Sequence, residues 1–444
     1  MGEVNQTPLF DSRVVQLVRD QLNSLNKSND DESRLRSSAL TRFLEKKKNK
    51  DQSKLFESLP YADLMIKQDF VLYHEQKMTR LSGSELDLGE NQSYSGILDI
   101  TEERITVWLQ EELIQSGVVF EVVKPAVNGH WGYLTKFVEE IRIEADEEFF
   151  DLSIGLFRNL IELYIPKSVI IEKPLMIRLR IQKKSEFFSN IVMIRLSDSA
   201  QAKVLLDVQS SCGEKHQNII PLVMTTKLGE NSELEFIESQ VLAETDWYLP
   251  YEKIEIGKNA TFNRFIVDRG SGLNKRYVSI DMNHVEAQAR ITGVYMADGG
   301  QRFIYDTYQN HVASYTQTDL LFKGVLEGKS SALWKGNVYV GKDTHGVDGY
   351  QMNNNLLLSE STRAEAIPGL EILSDDVKCS HGVTLSSIDP DQLFYLESRG
   401  IAPSTAVDLI KAGFIESAVS RINDPAIKNI ALEMIKVDIN QIYK

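Results

Sequence analysis

From Ile161 to Glu371 apolar residues recur at every second position: Ile161, Leu163 and Ile165, then Val169 and Ile171, then Leu175, Ile177, Leu179 and Ile181. A helix buries positions three and four apart, so a period of two marks strands with one buried face. The pattern continues through KVLLDV near 203, NIIPLVMTTKL near 218, ELEFIES near 233, TFNRFIV near 261, RYVSIDM near 276 and RITGVYM near 290, with no helix between them. Gly, Asn, Asp and Ser turns separate the strands at short, even intervals, which leaves a sandwich, a barrel or a solenoid. Many strands lie far from any Asn-Gly hairpin signal, and Asn353, Asn354 and Asn355 beside Leu356, Leu357 and Leu358 suit the side-chain ladders of stacked turns. The expected core is a right-handed parallel β-helix over residues 151–388, in a mainly β chain with helices at both ends.

The flanks read as helical. Val14, Leu17, Val18, Leu22 and Leu25 form an apolar stripe, Leu35, Ala39, Leu40, Phe43 and Leu44 form a second, and Lys46, Lys47, Lys48 and Lys50 suit a solvated helix end. Residues 55–100 mix apolar runs with Gly and Ser and read as irregular. From Thr101, Ile105, Leu109 and Leu113 around Trp108 predict another helix, and Leu134 to Phe137 lead a further one toward Phe149 and Phe150. Residues 1–150 are therefore expected to be a helical region. Asp389 as N-cap with Pro390 at the first helical position opens a C-terminal helical domain, residues 389–444. Pro403 and Ser404 open its second helix, carrying Leu409, Ile410 and Phe414. Ile427, Ile430, Ala431, Met434 and Ile435 mark the third.

Charge narrows the function. The 49 Lys and Arg against 64 Asp and Glu leave −15, which disfavours phosphate backbones and anionic lipid as partners. Cys212 and Cys379 are the only cysteines, too few for a disulfide framework or a four-cysteine zinc site, and a reducing cytoplasm is expected. The N-terminal MGEVNQTPLF lacks a basic start before an apolar run and carries Gln6 where a myristoylation signal wants Ser or Thr. Leu160 to Ile181 is broken by Glu162, Lys167, Glu172, Lys173, Arg178 and Arg180, so it cannot span a bilayer.

No dinucleotide fingerprint, phosphate loop, nucleophile elbow or His-Glu-x-x-His is present. The pair that could carry chemistry is Cys379 and His381, in Asp375-Asp376-Val377-Lys378-Cys379-Ser380-His381-Gly382. On a strand, residues two apart share a face, and a thiol beside an imidazole suits a soft or borderline metal. The bland alternative is a buried thiol beside a chance histidine. Cys212, with His216 four residues on, reads as a turn thiol, and His284, His311 and His345 as satisfied polar residues on strands. Two ligands cannot complete an iron–sulfur cluster, so any cluster here needs ligands from a second chain.

Four runs occur in order: Lys323-Gly324-Val325-Leu326-Glu327-Gly328, Tyr350-Gln351-x-Asn353-x-Asn355-Leu356-Leu357-Leu358-Ser359, the Cys379 motif, and Leu393-Phe394-Tyr395-Leu396-x-Ser398-Arg399-Gly400-Ile401. Together they resemble the SufB/SufD scaffold family of the SUF iron–sulfur assembly system, in its SufD branch, from about Phe150 onward. The resemblance implies a right-handed parallel β-helix and a non-catalytic scaffold subunit. It implies pairing with a SufB-like paralogue, or a homodimer when isolated, and docking of a SufC-like ATPase on the C-terminal helices, for which Leu409, Ile410 and Phe414 are the candidate face. It also implies a transient iron–sulfur cluster at the subunit junction, with His381 as this chain's ligand and Cys379 as a further candidate; whether flavin binds is open. Val383 and Gly349 depart from the family pattern, and neither is expected to disturb the ligands. The shortage of cysteines favours SufD over SufB. The competing reading is a β-helix enzyme acting on polysaccharide, which would need two carboxylates at a cleft.

Overall fold

A computed structural model of the 444-residue chain describes residues 12–25, 30–48, 76–82, 93–123, 135–136, 138, 148–182, 187–211 and 217–435. Successive strands alternate between two sheets. An eleven-stranded sheet runs from Lys77–Arg80 through Arg104–Leu109, Gly96–Ile100 and Leu175–Ile181, then takes every second strand as far as Val377–Ser387. A nine-stranded sheet runs from Val119–Val123 through Asn159–Ile165 to Arg363–Ile372. All pairings from Leu175–Ile181 onward are parallel, so each turn lies on the one before: a parallel β-solenoid.

Register fixes which side chains enter the lumen. Ala202, Leu234, Phe262, Ala289, Thr318, Gly349 and Cys379 form one inward column, and Val204, Phe236, Arg264, Ile291, Leu320, Gln351 and His381 form the next. One corner is held by a stack of left-handed residues. Ser199, Asn231, Asn259, Glu286 and Tyr315 all have positive φ, and each N–H donates to a carbonyl of the following turn. Gly346 continues this stack at φ +63, where a Cβ would strike the Tyr315 ring at 2.6 Å.

Helices cover the outer faces of both sheets. Leu35, Leu40 and Phe43 of Asp31–Lys48 and Phe149 and Phe150 of Glu148–Gly155 pack with Trp247 and Tyr251 on the nine-stranded sheet. Ile415, Ala418, Ile427 and Ala431 of the C-terminal helices pack with Ile237, Phe265 and Val294 on the eleven-stranded sheet. Both faces of a strand such as Ile219–Leu228 are therefore buried along nearly its whole length.

The helical reading of residues 1–150 needs correction. Ser12–Leu25, Asp31–Lys48 and Glu148–Gly155 are helices, but Lys77–Arg80, Gly96–Ile100, Arg104–Leu109 and Val119–Val123 are strands that begin the two sheets. Ile105 and Val107 face the solenoid core while Trp108 packs on the opposite, helix-covered side. With both faces apolar, the strand imitates helical spacing. Between Thr101 and Val123 only Glu111–Gln115 is α-helical, and of the segment expected from Leu134 onward the described residues Thr135, Lys136 and Val138 are helical. Among the described residues three C-terminal helices occur, Pro390–Ser398, Pro403–Val419 and Pro425–Ile435, with Asp389 capping the first.

The lumen changes character along its length. The early turns are filled by Val204, Leu206, Ile220 and Leu222. The middle holds a fully buried ion network: Arg276 bonds Glu238 at 2.8 Å and Asp268 at 3.1 Å, while Arg264 bridges Glu238 and Glu252. Tyr248 donates to Glu238 at 2.5 Å and Tyr305 to Asp268 at 2.9 Å. Glu238 thus receives two guanidiniums and a phenol and is held down, near 2, against its burial. Glu252 has one arm of Arg264 and an unpartnered Oε2, and burial pushes it up to about 7. Farther on, Asn353 and Asn355 bond each other and the Tyr295 hydroxyl rather than forming a ladder.

A carboxyl whose folded pKa is raised costs stability as pH climbs from its unfolded value through its folded one, here from 4.5 to about 7. Glu252→Gln keeps an acceptor for Arg264 and removes that titration. The variant should gain on the parent in unfolding free energy between pH 5 and pH 8, by up to roughly 3 kcal/mol. Parallel denaturation profiles across that range would refute the assignment.

Candidate functional site

The last two strands, Arg363–Ile372 and Val377–Ser387, are the edges of their sheets, so the solenoid ends on backbone with no further strand. Lumen positions that are covered in every earlier turn open to solvent here. Leu370, Ile372, Val383 and Leu385 are all more than a third exposed. An unpaired edge with an apolar floor leaves backbone donors and acceptors open to pairing.

Cys379 and His381 stand on this last turn, side by side on the face that elsewhere forms the lumen, as their spacing of two predicts. They differ in setting. His381 is exposed. Cys379 is half-buried and packs with Val338, Val340 and Val347. Burial raises its thiol pKa, opposed by a hydrogen bond from the Gly349 backbone, and Asp348 raises it further. Among the described residues no three His, Cys, Asp or Glu side chains gather to hold a metal. The pair can contribute ligands to a shared site and cannot complete one.

The other candidates fall elsewhere. Cys212 and His216 lie outside the described residues. His284 is exposed in a turn, and His345 sits 3.7 Å from Asp376 at the surface. His311 is fully buried, with Nδ1 2.7 Å from Thr316 Oγ1 and Nε2 2.9 Å from Thr318 Oγ1, and burial lowers its pKa to about 4.

The candidate docking residues divide. Leu409 and Ile410 are half-buried. Phe414 is also half-buried, but it packs into the interface with the eleven-stranded sheet, and the Lys323 ammonium lies 4.1 Å from its ring centre. The exposed aromatics of the described C-terminal helices are Phe394 and Tyr395, 71% and 57% accessible, on Pro390–Ser398, a helix with no buried residue. The sequence reading quoted both and gave them no role. Adjacent residues on a helix lie about 100° apart, near enough to share one apolar face, and here that face is turned to solvent.

The sequence that forms this solenoid and the helices after it has relatives. The profile for "SUF system FeS cluster assembly, SufBD core domain" matches residues 179–414, more than half of the chain. The chain belongs to the SufBD family of SUF iron–sulfur cluster assembly proteins. An iron–sulfur cluster assembly SufBD family protein of Mycobacterium leprae is 29% identical over 181 residues, 39% of this chain and 46% of that protein. SufD of Escherichia coli is 26% identical over 240 residues, covering 54% of this chain and 56% of that one. SufB of Bacillus subtilis is 22% identical over 339 residues, covering 76% and 70%. The matches to the mycobacterial relatives span about half of their length. SufB and SufD relatives are similarly close.

Phe414→Ala should lower stability by about 2 kcal/mol, since it leaves a gap between helix and sheet, whereas Phe394→Ala should change it by less than about 0.5. Urea denaturation of both variants checks this; equal losses would mean that Pro390–Ser398 is packed as firmly as its neighbour.

Proposed function

We propose that this chain is a SufD-like scaffold subunit that joins a SufB-like paralogue through the open end of its solenoid, with a nascent iron–sulfur cluster built at the junction. The observation carrying this reading is the pairing of His381 and Cys379 with an uncapped, apolar-floored edge. A ligand pair that cannot complete a site alone sits where a second chain would bring the rest. His381 is the presented ligand and Cys379 the second. With Cys212 and Cys379 as its only thiols, the chain suits the member that receives a cluster site more than one relaying sulfur over several cysteines. In isolation the same edge would pair with a second copy. A SufC-like ATPase would dock on the C-terminal helices, using Leu409 and Ile410 together with the exposed Phe394 and Tyr395. The reducing cytoplasm suits both the free thiol and the cluster.

The polysaccharide-enzyme reading, which needs two carboxylates at a cleft, finds no support in the carboxylates of the lumen. The inward carboxylates Glu238, Glu252 and Asp268 are fully buried and tied to Arg264 and Arg276.

Co-purification from the native cytosol should bring a SufB-like paralogue and a SufC-like ATPase. In that complex His381→Ala should leave folding and partner binding intact, because an exposed side chain contributes little to the core. It should lower the iron and sulfide retained after reconstitution. Equal visible absorbance and iron content for the parent and variant complexes would remove His381 from the ligand set.

A further inference from the structure

Gly349 was expected to be a harmless departure, and the structure sets it directly beneath Cys379 in the inward column. It lies in the strand Val347–Leu357 and is not among the residues with positive φ, so backbone freedom does not explain a glycine there. Space does. A Cβ at 349 would stand 3.0 Å from Val338 Cγ1, 3.2 Å from Cys379 Sγ and 3.4 Å from His311 Nε2. The thiol and the imidazole therefore approach one small gap from opposite sides, two turns of the solenoid apart.

His311 is held rigidly at its side of the gap. Thr316 Oγ1 donates to the Ala313 carbonyl at 3.1 Å, so it accepts from His311 Nδ1–H. That fixes the tautomer and leaves Nε2 as an acceptor, met by the Thr318 hydroxyl at 2.9 Å. The imidazole is a fixed, neutral wall whose one acceptor lone pair is already taken by the Thr318 hydroxyl.

We propose that Gly349 and His311 are positioning residues that seat the Cys379 thiol inside the last turn, leaving His381 as the side chain presented at the open end. The seat consists of the gap at Gly349, the His311 edge and the apolar side of Val338 and Val347. A methyl at 349 would crowd Val338, the sulfur and His311, and the sulfur, on the last strand, is the neighbour free to give way, outward toward His381. The glycine thus sets whether the strand shows one ligand or two. This follows from the packing of the last turns and is independent of the cluster reading.

The test uses the full chain with Cys212→Ser, so that Cys379 is the only thiol, and follows its reaction with a neutral dithiodipyridine by absorbance. The parent should react slowly. Gly349→Ala should react about tenfold faster with an unchanged unfolding midpoint, since reactivity follows exposure of the sulfur. Adding Val338→Ala removes the atom closest to the new methyl and should return the rate toward the parent's, a rescue that general loosening would not give. His311→Gln, which keeps polar atoms for the two threonines, should also accelerate the reaction and serves if Gly349→Ala does not fold. Parent-like rates in the folded variants, or no slowing on adding Val338→Ala, would overturn the seat. Iron retention at His381 is read separately, so failure of one assignment leaves the other standing.

Discussion

In-register parallel stacking is the constraint on which the rest of the structure depends. Each turn repeats the side assignments of the one below, so a residue's parity decides whether it enters the lumen, and a slip of one residue would reverse the whole strand. The columns leading to Cys379 and His381 are continuous from Ala202 and Val204 for this reason. The stacking also fixes where it stops. After Val377–Ser387 the chain leaves for helices, and the face that was interior for every earlier turn becomes surface.

Stacking alone does not set what fills the lumen, and the filling follows an order. Aliphatic turns come first, then a buried network in which Arg264 and Arg276 neutralise Glu238, Glu252 and Asp268, then amides, then the thiol and imidazole at the open end. Buried charges are tolerated where each has several partners, and removing one partner leaves the others uncompensated. The helices on the outer faces add specificity of another kind. The sheet residues Lys203, Lys323 and Arg269 reach Asp424, Ser417 and the Ile435 carbonyl, anchoring the last two helices to the eleven-stranded sheet. The helix before them, Pro390–Ser398, contributes no buried residue.

Much of this was legible in the sequence because it rests on local rules. The two-residue period gave the strands, Asp389-Pro390 gave the helix start, and the spacing of Cys379 and His381 gave their common face. Other features needed three dimensions. Arg104–Leu109 was misread because both of its faces are buried, Ile105 and Val107 in the lumen cluster and Trp108 in the outer one, which sequence does not record. Phe414 and Phe394 look alike as letters and differ only in what lies across from them. The approach of His311 and Cys379 to one gap joins residues 68 positions apart and depends on a glycine that carries no chemistry of its own.

The central claim is that the open end of this solenoid supplies an imidazole to a cluster shared with a second chain. Pulsed electron paramagnetic resonance of the reduced, reconstituted complex, with nitrogen-15 histidine in this chain alone, addresses it directly. The account predicts a hyperfine coupling from one directly bound histidine nitrogen, and its disappearance when His381 is replaced. A cluster that forms in the parent complex without that coupling, or a coupling that persists in His381→Ala, would contradict it.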